Sequence, residues 1–336
     1  MNDTNTPAPS RRPRYLNIIK LVFAGLLAAF VISKTNPDQF RAVLVRLSAS
    51  EVLLYFGLFV LATMVKAFQY RIVIGKDVAY PRVLNVVVMQ NFVSNFLAAS
   101  AGIASYLSLF KVEHGVKVSR AMVTFILTKV GDLIAIACLL ALSVWWVWPE
   151  IGVLRGPSII LLAGIILFLL FIFGAVILRQ KFIALIRIIL ERLNLLQYAF
   201  IQKGMDVLDA LVNQNPKNIL EKIKSIIAGS FLYMMVTLAW LYTGLRIFDV
   251  QLSLGGFAFS SALYYILSYL PIYIFGGLGV TETSLLYLYG LFLSSQAELA
   301  AVLIGLRILN YLMNLVVLLY LPLYEMLWRK PENADG

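Results

Sequence analysis

The chain reads as an all-α membrane protein, and three observations carry that reading. Of its 336 residues, 61% are hydrophobic and 13% charged, with a mean hydropathy of +0.87, far too apolar for a soluble globule. Apolar runs long enough to cross a bilayer of roughly 30 Å recur along the whole length, with no separate soluble block. Two stretches between them are broken by glycine, and each break is followed by a cation set in apolar sequence. Gly102 precedes Lys129 by 27 positions and Gly279 precedes Arg307 by 28, a near-repeat of the same device.

Residues 1–14, with Arg11, Arg12 and Arg14, read as a disordered cytoplasmic tail. The run 15–33 reads as a retained anchor helix, because its apolar stretch is long and no small-x-small cleavage site follows. Further strong spans lie at 50–69, 119–146, 157–178, 224–245 and 298–321, about six in all. Between them are two awkward regions. Residues 83–110 carry Asn85, Gln90, Asn91, Ser94 and Asn95 and break at Gly102. Residues 256–293 break at Pro271 and at Gly276, Gly277 and Gly279. Each reads as two half-helices around a bend, that is, a re-entrant hairpin. Trp145, Trp146 and Trp148 end a long helix as an interfacial belt. The segment 181–212 has helical apolar spacing but carries Lys181, Arg187, Arg192 and Lys203, so it reads as amphipathic helix on the cytoplasmic face. Asn215 and Pro216 then supply a cap and a first residue for the next helix, and 329–336 form a cytoplasmic tail.

Basic residues mark cytoplasmic loops. If both awkward regions enter and leave on one side, 20 Lys and Arg fall inside and 5 outside, with Lys66, Lys129 and Arg307 in the membrane. If each crosses once, the tally becomes 11 against 14, so the hairpin threading is preferred. Two closely spaced full crossings have the same sidedness as a re-entrant loop. This threading makes a single polytopic domain over 15–328, with both termini cytoplasmic. Its inverted halves, at about 50–146 and 224–321, are joined by the amphipathic segment 179–222. Inverted repeats whose broken helices meet near the midplane are the architecture of many secondary transporters, although membrane enzymes and channels also use repeats.

Charge at membrane depth is expensive and usually functional. Lys129 and Asp132 are three apart, on one helix face, and form either a self-neutralising ion pair or part of an anion site. Arg307 has no acid at helical spacing in its own segment. Glu282 is its obvious protein partner, and a phosphate is the alternative that guanidinium geometry suits. Gly102, Gly276, Gly277, Gly279 and Pro271 either turn the backbone around a ligand or let helices pack closely. Gln90, Asn91, Ser94 and Asn95 either line a wet groove or hydrogen-bond between helices. His114, in a loop, reads as surface decoration. A single His and a single Cys, Cys138, exclude the usual nitrogen and sulfur metal sites. No Gly-Lys-Ser/Thr phosphate loop is present, and no serine has a histidine partner in view. The chain is therefore expected to be neither an enzyme nor dependent on a cofactor. Its net charge of +11 points to anionic lipid headgroups rather than nucleic acid.

Leu270-Pro271 through Gly276-Gly-Leu-Gly-Val-Thr-Glu282, followed by Arg307, resembles the signature of the lysylphosphatidylglycerol synthase transmembrane-region, or flippase-like, family. Gly102, Gly115-Val-Lys-Val-Ser119 and Lys129-Val-Gly-Asp132 are similar to its earlier half, so the resemblance covers roughly 15–325. It implies a multi-pass bacterial inner-membrane protein that helps move a lipid-linked cargo between leaflets. Members include the flippase half of the multiple peptide resistance factor and freestanding proteins associated with polyprenyl-linked sugars. This chain ends soon after its last helix, so it is expected to lack the aminoacyl-transferase domain. The family pattern also implies Pro, Glu and Arg where Ala98, Ile103 and Tyr106 stand, Arg at Lys129 and Pro at Phe275. With the first hairpin so depleted of charge, the weight of the site falls on Glu282 and Arg307.

The expectation is a lipid translocase. A phosphate-bearing headgroup would enter the groove between the hairpins, Arg307 and Lys129 would compensate its charge, and the tails would stay in the bilayer. The alternative is a non-transporting accessory subunit of a cell-envelope glycosyltransferase or lipid-modification system. A homodimer and an envelope glycosyltransferase are the protein partners left open.

Overall fold

The computed structural model describes residues 48–178, 180–198, 201–202, 205, 216–269, 277–293 and 296–328. The tails at 1–14 and 329–336, the anchor at 15–33, Pro271 and Gly276 lie outside the described residues. The described chain is helical throughout, with α1 (Ala49–Ile74), α2 (Tyr80–Phe96), α3 (Ala99–Val112), α4 (Val118–Trp146) and α5 (Arg155–Leu178) in its first part. Then come α6 (Gln180–Arg192), α7 (Pro216–Ile247), α8 (Leu254–Ser268), α9 (Val280–Gly290), α10 (Gln296–Leu318) and α11 (Tyr320–Trp328). Five stretches are long and apolar enough to cross a membrane, in α1, α4, α5, α7 and α10 with its continuation α11. These are the spans expected at 50–69, 119–146, 157–178, 224–245 and 298–321.

Local chemistry sets several helix ends. Ser48 caps α1, its hydroxyl accepting from the Glu51 N–H at 3.3 Å and donating to the Glu51 carboxylate at 2.7 Å. Gly75 closes α1 at φ 116°, a conformation that other residues resist. α6 is the basic amphipathic helix anticipated after residue 180, with Ile183 of its apolar face packed on Met205.

The first hairpin does not bend where glycine predicts. α2 ends at Phe96 and α3 starts at Ala99, so the turn is Leu97-Ala98, whose two N–H groups both donate to the Val93 carbonyl, at 3.0 and 3.3 Å. Gly102 lies inside α3 and serves packing instead. A Cβ there would overlap the Ser94 hydroxyl and stand 2.9 Å from the Gln90 carbonyl oxygen, so α2 and α3 approach closely only because it is glycine.

Contacts at the helix ends fix the threading. Asn85 of α2 donates to Glu113 at 3.3 Å, just beyond α3. The Arg120 guanidinium at the start of α4 binds Asp77, in the loop before α2, at 2.6 and 2.8 Å. Its hydrogen bonds hold the Asp77 carboxyl below the usual carboxylate range. The α2–α3 pair therefore leaves at the end of the bundle where it entered. Tyr320, at the start of α11, reaches the Pro81 carbonyl at 3.2 Å, which brings the far end of α10 to that same end.

The α8–α9 pair opens at the other end. Gly255, at the start of α8, is backed by Trp146 and Val147 at the close of α4, and Gly256 by the Phe292 ring just past α9. Ser260 donates to the Leu288 carbonyl at 2.9 Å, so the two helices run antiparallel. At 1.5 Å per residue, 15 residues of α8 and 11 of α9 reach only about 22 and 17 Å, short of a full crossing. The two hairpins thus point in opposite directions. α1 and α7 pack together at the centre, α4 packs on α8, and α10 packs on α2, so the long helix after each hairpin rests on the other hairpin.

This arrangement makes a labelling prediction. With Cys138 replaced by Ala, cysteines at Asp77, Glu113 and Lys117 should react with an impermeant maleimide from one face of sealed vesicles. Cysteines at Ser253 and Phe292 should react only from the other. Reactivity of positions 77 and 117 from opposite faces would contradict the hairpin.

Candidate functional site

Charged side chains at the middle of the apolar helices assemble into two groups. The first joins α1, α4 and α7. Lys66, 9% exposed, forms a salt bridge with Asp132, 5% exposed, at 2.5 Å to Oδ2. Gln69 and Ser230 both donate to Oδ1 of Asp132 at 3.1 Å, and Gln69 also bonds Ser230. Gln69 Oε1 in turn accepts from Lys66 at 2.8 Å. Every oxygen of the carboxylate is engaged, as a buried charge requires. The Lys66 ammonium also lies 4.5 Å from the Tyr233 ring centroid and 5.4 Å from that of Tyr70, where the ring faces add attraction. Gly131 makes this possible, since a Cβ there would stand 2.6 Å from both Ile226 and the Ser230 hydroxyl and push α7 away.

Of the two alternatives for Lys129 and Asp132, the self-neutralising ion pair within α4 is not formed. Lys129 and Asp132 share a helix face, but the carboxylate turns to Lys66 of α1. Lys129 instead lies 4.8 Å from the Tyr269 ring and 5.7 Å from that of Phe125, within electrostatic reach of Lys66 and Asp132. Among the described residues no carboxylate lies within salt-bridge distance of its ammonium.

The second group sits at the start of α9. Arg307 Nε is 3.1 Å from Oε1 of Glu282, and both side chains are buried. The other Glu282 oxygen accepts the Gly279 N–H at 2.7 Å and so closes the first turn of α9. Gly277 and Gly279 have φ of 82° and 80°, so here the glycines do turn the backbone, and only glycine does so without strain. The Arg307 guanidinium is also 5.1 Å from the Tyr311 ring. The buried hydroxyl of Thr283 has no hydrogen-bond partner among the described residues.

Counted from Val118 and Gln296, Lys129 and Arg307 are each the twelfth residue of their helix, which gives the near-repeat its structural form. Tyrosines link the groups: Tyr233 is within electrostatic reach of Asp132 and Tyr264, and Tyr264 of Arg307 and Glu282. On the polar face of α2, Asn95 donates to Asn314 of α10 at 3.2 Å and to the Asn91 carbonyl at 3.0 Å. Phe96 packs on Tyr311, 5.2 Å between centroids, which sets that face beside the Arg307 group. Gln90, Asn91 and Ser94 of α2 are half-buried. Gly102 bears on the site only by drawing α3 against Ser94.

Lys66, Gln69, Ser230 and the tyrosines are the members that spacing did not reveal. Their signal lay in stoichiometry, since three cations at depth face only two carboxylates.

A protein-family model described as the lysylphosphatidylglycerol synthase TM region matches residues 17–317. No curated protein and no solved structure matches the chain.

The first group should behave as one unit in stability. Asp132→Ala, which strands the Lys66 charge, should cost about 3–5 kcal/mol. The double variant Lys66→Met with Asp132→Leu should recover most of that loss, read by thermal unfolding in detergent. A double variant no more stable than the single one would mean that the pair is not what holds α1, α4 and α7 together.

Proposed function

From the premise that this chain belongs to the lysylphosphatidylglycerol synthase TM region family, a family of membrane proteins tied to lipid handling, we propose that it is a lipid translocase. Its cargo is a phosphate-bearing lipid or lipid-linked precursor, its location the inner membrane of a bacterium, and it performs no covalent chemistry.

One observation carries this reading: among the described residues, buried Lys66 and Arg307 and half-buried Lys129 stand at membrane depth against the two carboxylates Asp132 and Glu282. Two cations are matched by carboxylates, while Lys129 rests on the ring of Tyr269, the residue that ends α8. A net positive charge at membrane depth is costly unless an anion visits it. A phosphate there would be attracted by Lys129 and, one group away, by Arg307, whose planar fork suits its oxygens. Loading would exchange the Arg307–Glu282 bridge for an Arg307–phosphate contact, so the pair holds the site while cargo is away and yields on its arrival. The tails need no pocket, because they stay in the bilayer.

Reconstituted protein should move fluorescent phosphatidylglycerol or a polyprenyl-phosphate-linked sugar between leaflets, read by quenching of the outer leaflet. Lys129→Gln and Arg307→Gln should each slow this by about tenfold or more, the loss of a charge-assisted contact, while Lys129→Arg retains it. Both should still elute as folded protein. Wild-type rates in the two glutamine variants would remove these residues from the mechanism. No movement of either lipid by wild-type protein that copurifies with a glycosyltransferase would favour an accessory role.

A further inference from the structure

α6 follows the spanning helix α5 almost at once, and its roll about its own axis is fixed by one contact. Phe182, in its first turn, packs T-shaped on Phe171 of α5 with 5.2 Å between ring centroids, and a Cβ at Gly174 would meet the same Phe182 ring at 3.5 Å. Phe171 stands seven residues before α5 ends at Leu178, about 10 Å into the span. The side of α6 that carries Phe182 therefore faces into the bilayer.

At 3.6 residues per turn the apolar side chains of α6 fill one broad arc with Phe182 near its middle. To one side of Phe182 lie Ile183, Ile186 and Leu190, which the chain's own Met205 and Leu196 cover. To the other side lie Leu185, Ile188 and Ile189, which are 54, 50 and 47% exposed. Lys181, Leu185, Ile188 and Arg192 follow each other at spacings of four, three and four, so a cation stands at each end of this open face, about 16 Å apart along the axis. Glu191, the acid of α6, lies with Arg187 on the side turned away. Among the residues of α6, two cations and no carboxylate border the open face.

We propose that this open face docks on an anionic lipid leaflet, with Leu185, Ile188 and Ile189 entering the boundary between headgroups and acyl chains while Lys181 and Arg192 reach the lipid phosphates. The occupant is a membrane rather than a protein for two reasons. Phe182 already turns this side of α6 toward the bilayer, and the adjoining end of α5 exposes Ile177 and Leu178 as a surface for acyl chains. Long basic side chains at the rim suit the same place, since their stems lie along apolar surface while their charged ends stay at the level of the phosphates. Cations without a bordering carboxylate favour anionic over zwitterionic headgroups. This docking surface stands whether or not the central groups carry cargo.

Site-specific quenching of the full chain in nanodiscs tests this. With Cys138 replaced by Ala, a dye on Ile188→Cys should be quenched by doxyl-labelled lipid and shielded from aqueous iodide, and the same dye on Glu191→Cys should show the reverse. In discs of phosphatidylglycerol mixed equally with phosphatidylcholine, quenching at position 188 by doxyl-phosphatidylglycerol should exceed that by doxyl-phosphatidylcholine about threefold, and adding Lys181→Gln with Arg192→Gln should make the two equal. Arg307→Gln should leave the preference unchanged. A dye at position 188 that iodide reaches, or that is shielded from iodide and lipid alike, would overturn the proposal, the latter by assigning the face to a second copy or another protein. Equal quenching by the two lipids with Lys181 and Arg192 in place, a preference that survives their replacement, or its loss in Arg307→Gln would likewise refute it, the last by tracing the anionic lipid to the centre.

Discussion

A charge among apolar helices has to be met by an opposite charge, and this molecule is organised by how its interior meets that demand. Lys66 and Asp132 come from helices 66 positions apart and close on one another at 2.5 Å, with Ser230 of α7 added to the same carboxylate. Three of the five candidate spans are thereby fastened at one point. The penalty for parting them is greater than the gain from forming them, so the node specifies which helices neighbour which more than it contributes net stability. Gly131 and Gly102 are subordinate to this, since each removes a side chain where two helices must touch.

Opposed hairpins give the second group a different character. Arg307 and Glu282 also form a buried pair, but Glu282 is simultaneously the cap of an 11-residue helix that begins on two left-handed glycines. Its carboxylate therefore couples a charge to a local backbone conformation. The Lys66 group ties three long helices and is saturated with hydrogen bonds. The Arg307 group joins a long helix to the first turn of one short helix. Lys129 stands beside the first group, within electrostatic reach of Lys66 and Asp132, with the Tyr269 ring for company.

Much of this was legible in the sequence. Apolar length located the spans to within a few residues, 119–146 against Val118–Trp146 being typical. The count of basic residues chose the hairpin threading that Asp77–Arg120 and Tyr320–Pro81 display. Glu282 was the natural partner of Arg307 because no acid stands at helical spacing from Arg307 in its own segment. What spacing could not tell was the partner of Asp132. Residues three apart share a face, but a lysine from a facing helix reaches the carboxylate end-on, whereas Lys129 would have to fold back along its own helix. The bend at Leu97-Ala98 was equally hidden, since neither residue is a helix breaker. A missing side chain serves a turn or a close approach equally well, so Gly102 gave a signal without a meaning, whereas Gly277 and Gly279 gave the right one.

The central claim is that, among the described residues, the membrane-depth groups carry one positive charge more than their carboxylates match, and that a lipid phosphate supplies the difference. An electron-density map of the protein in a bilayer containing its native lipids tests this directly. The account predicts headgroup density within hydrogen-bonding distance of Lys129, on the side of Tyr269, with tails leading into the membrane. Acyl-chain density alone around the Lys129 ammonium, or a carboxylate swung in from elsewhere to bind it, would contradict the claim.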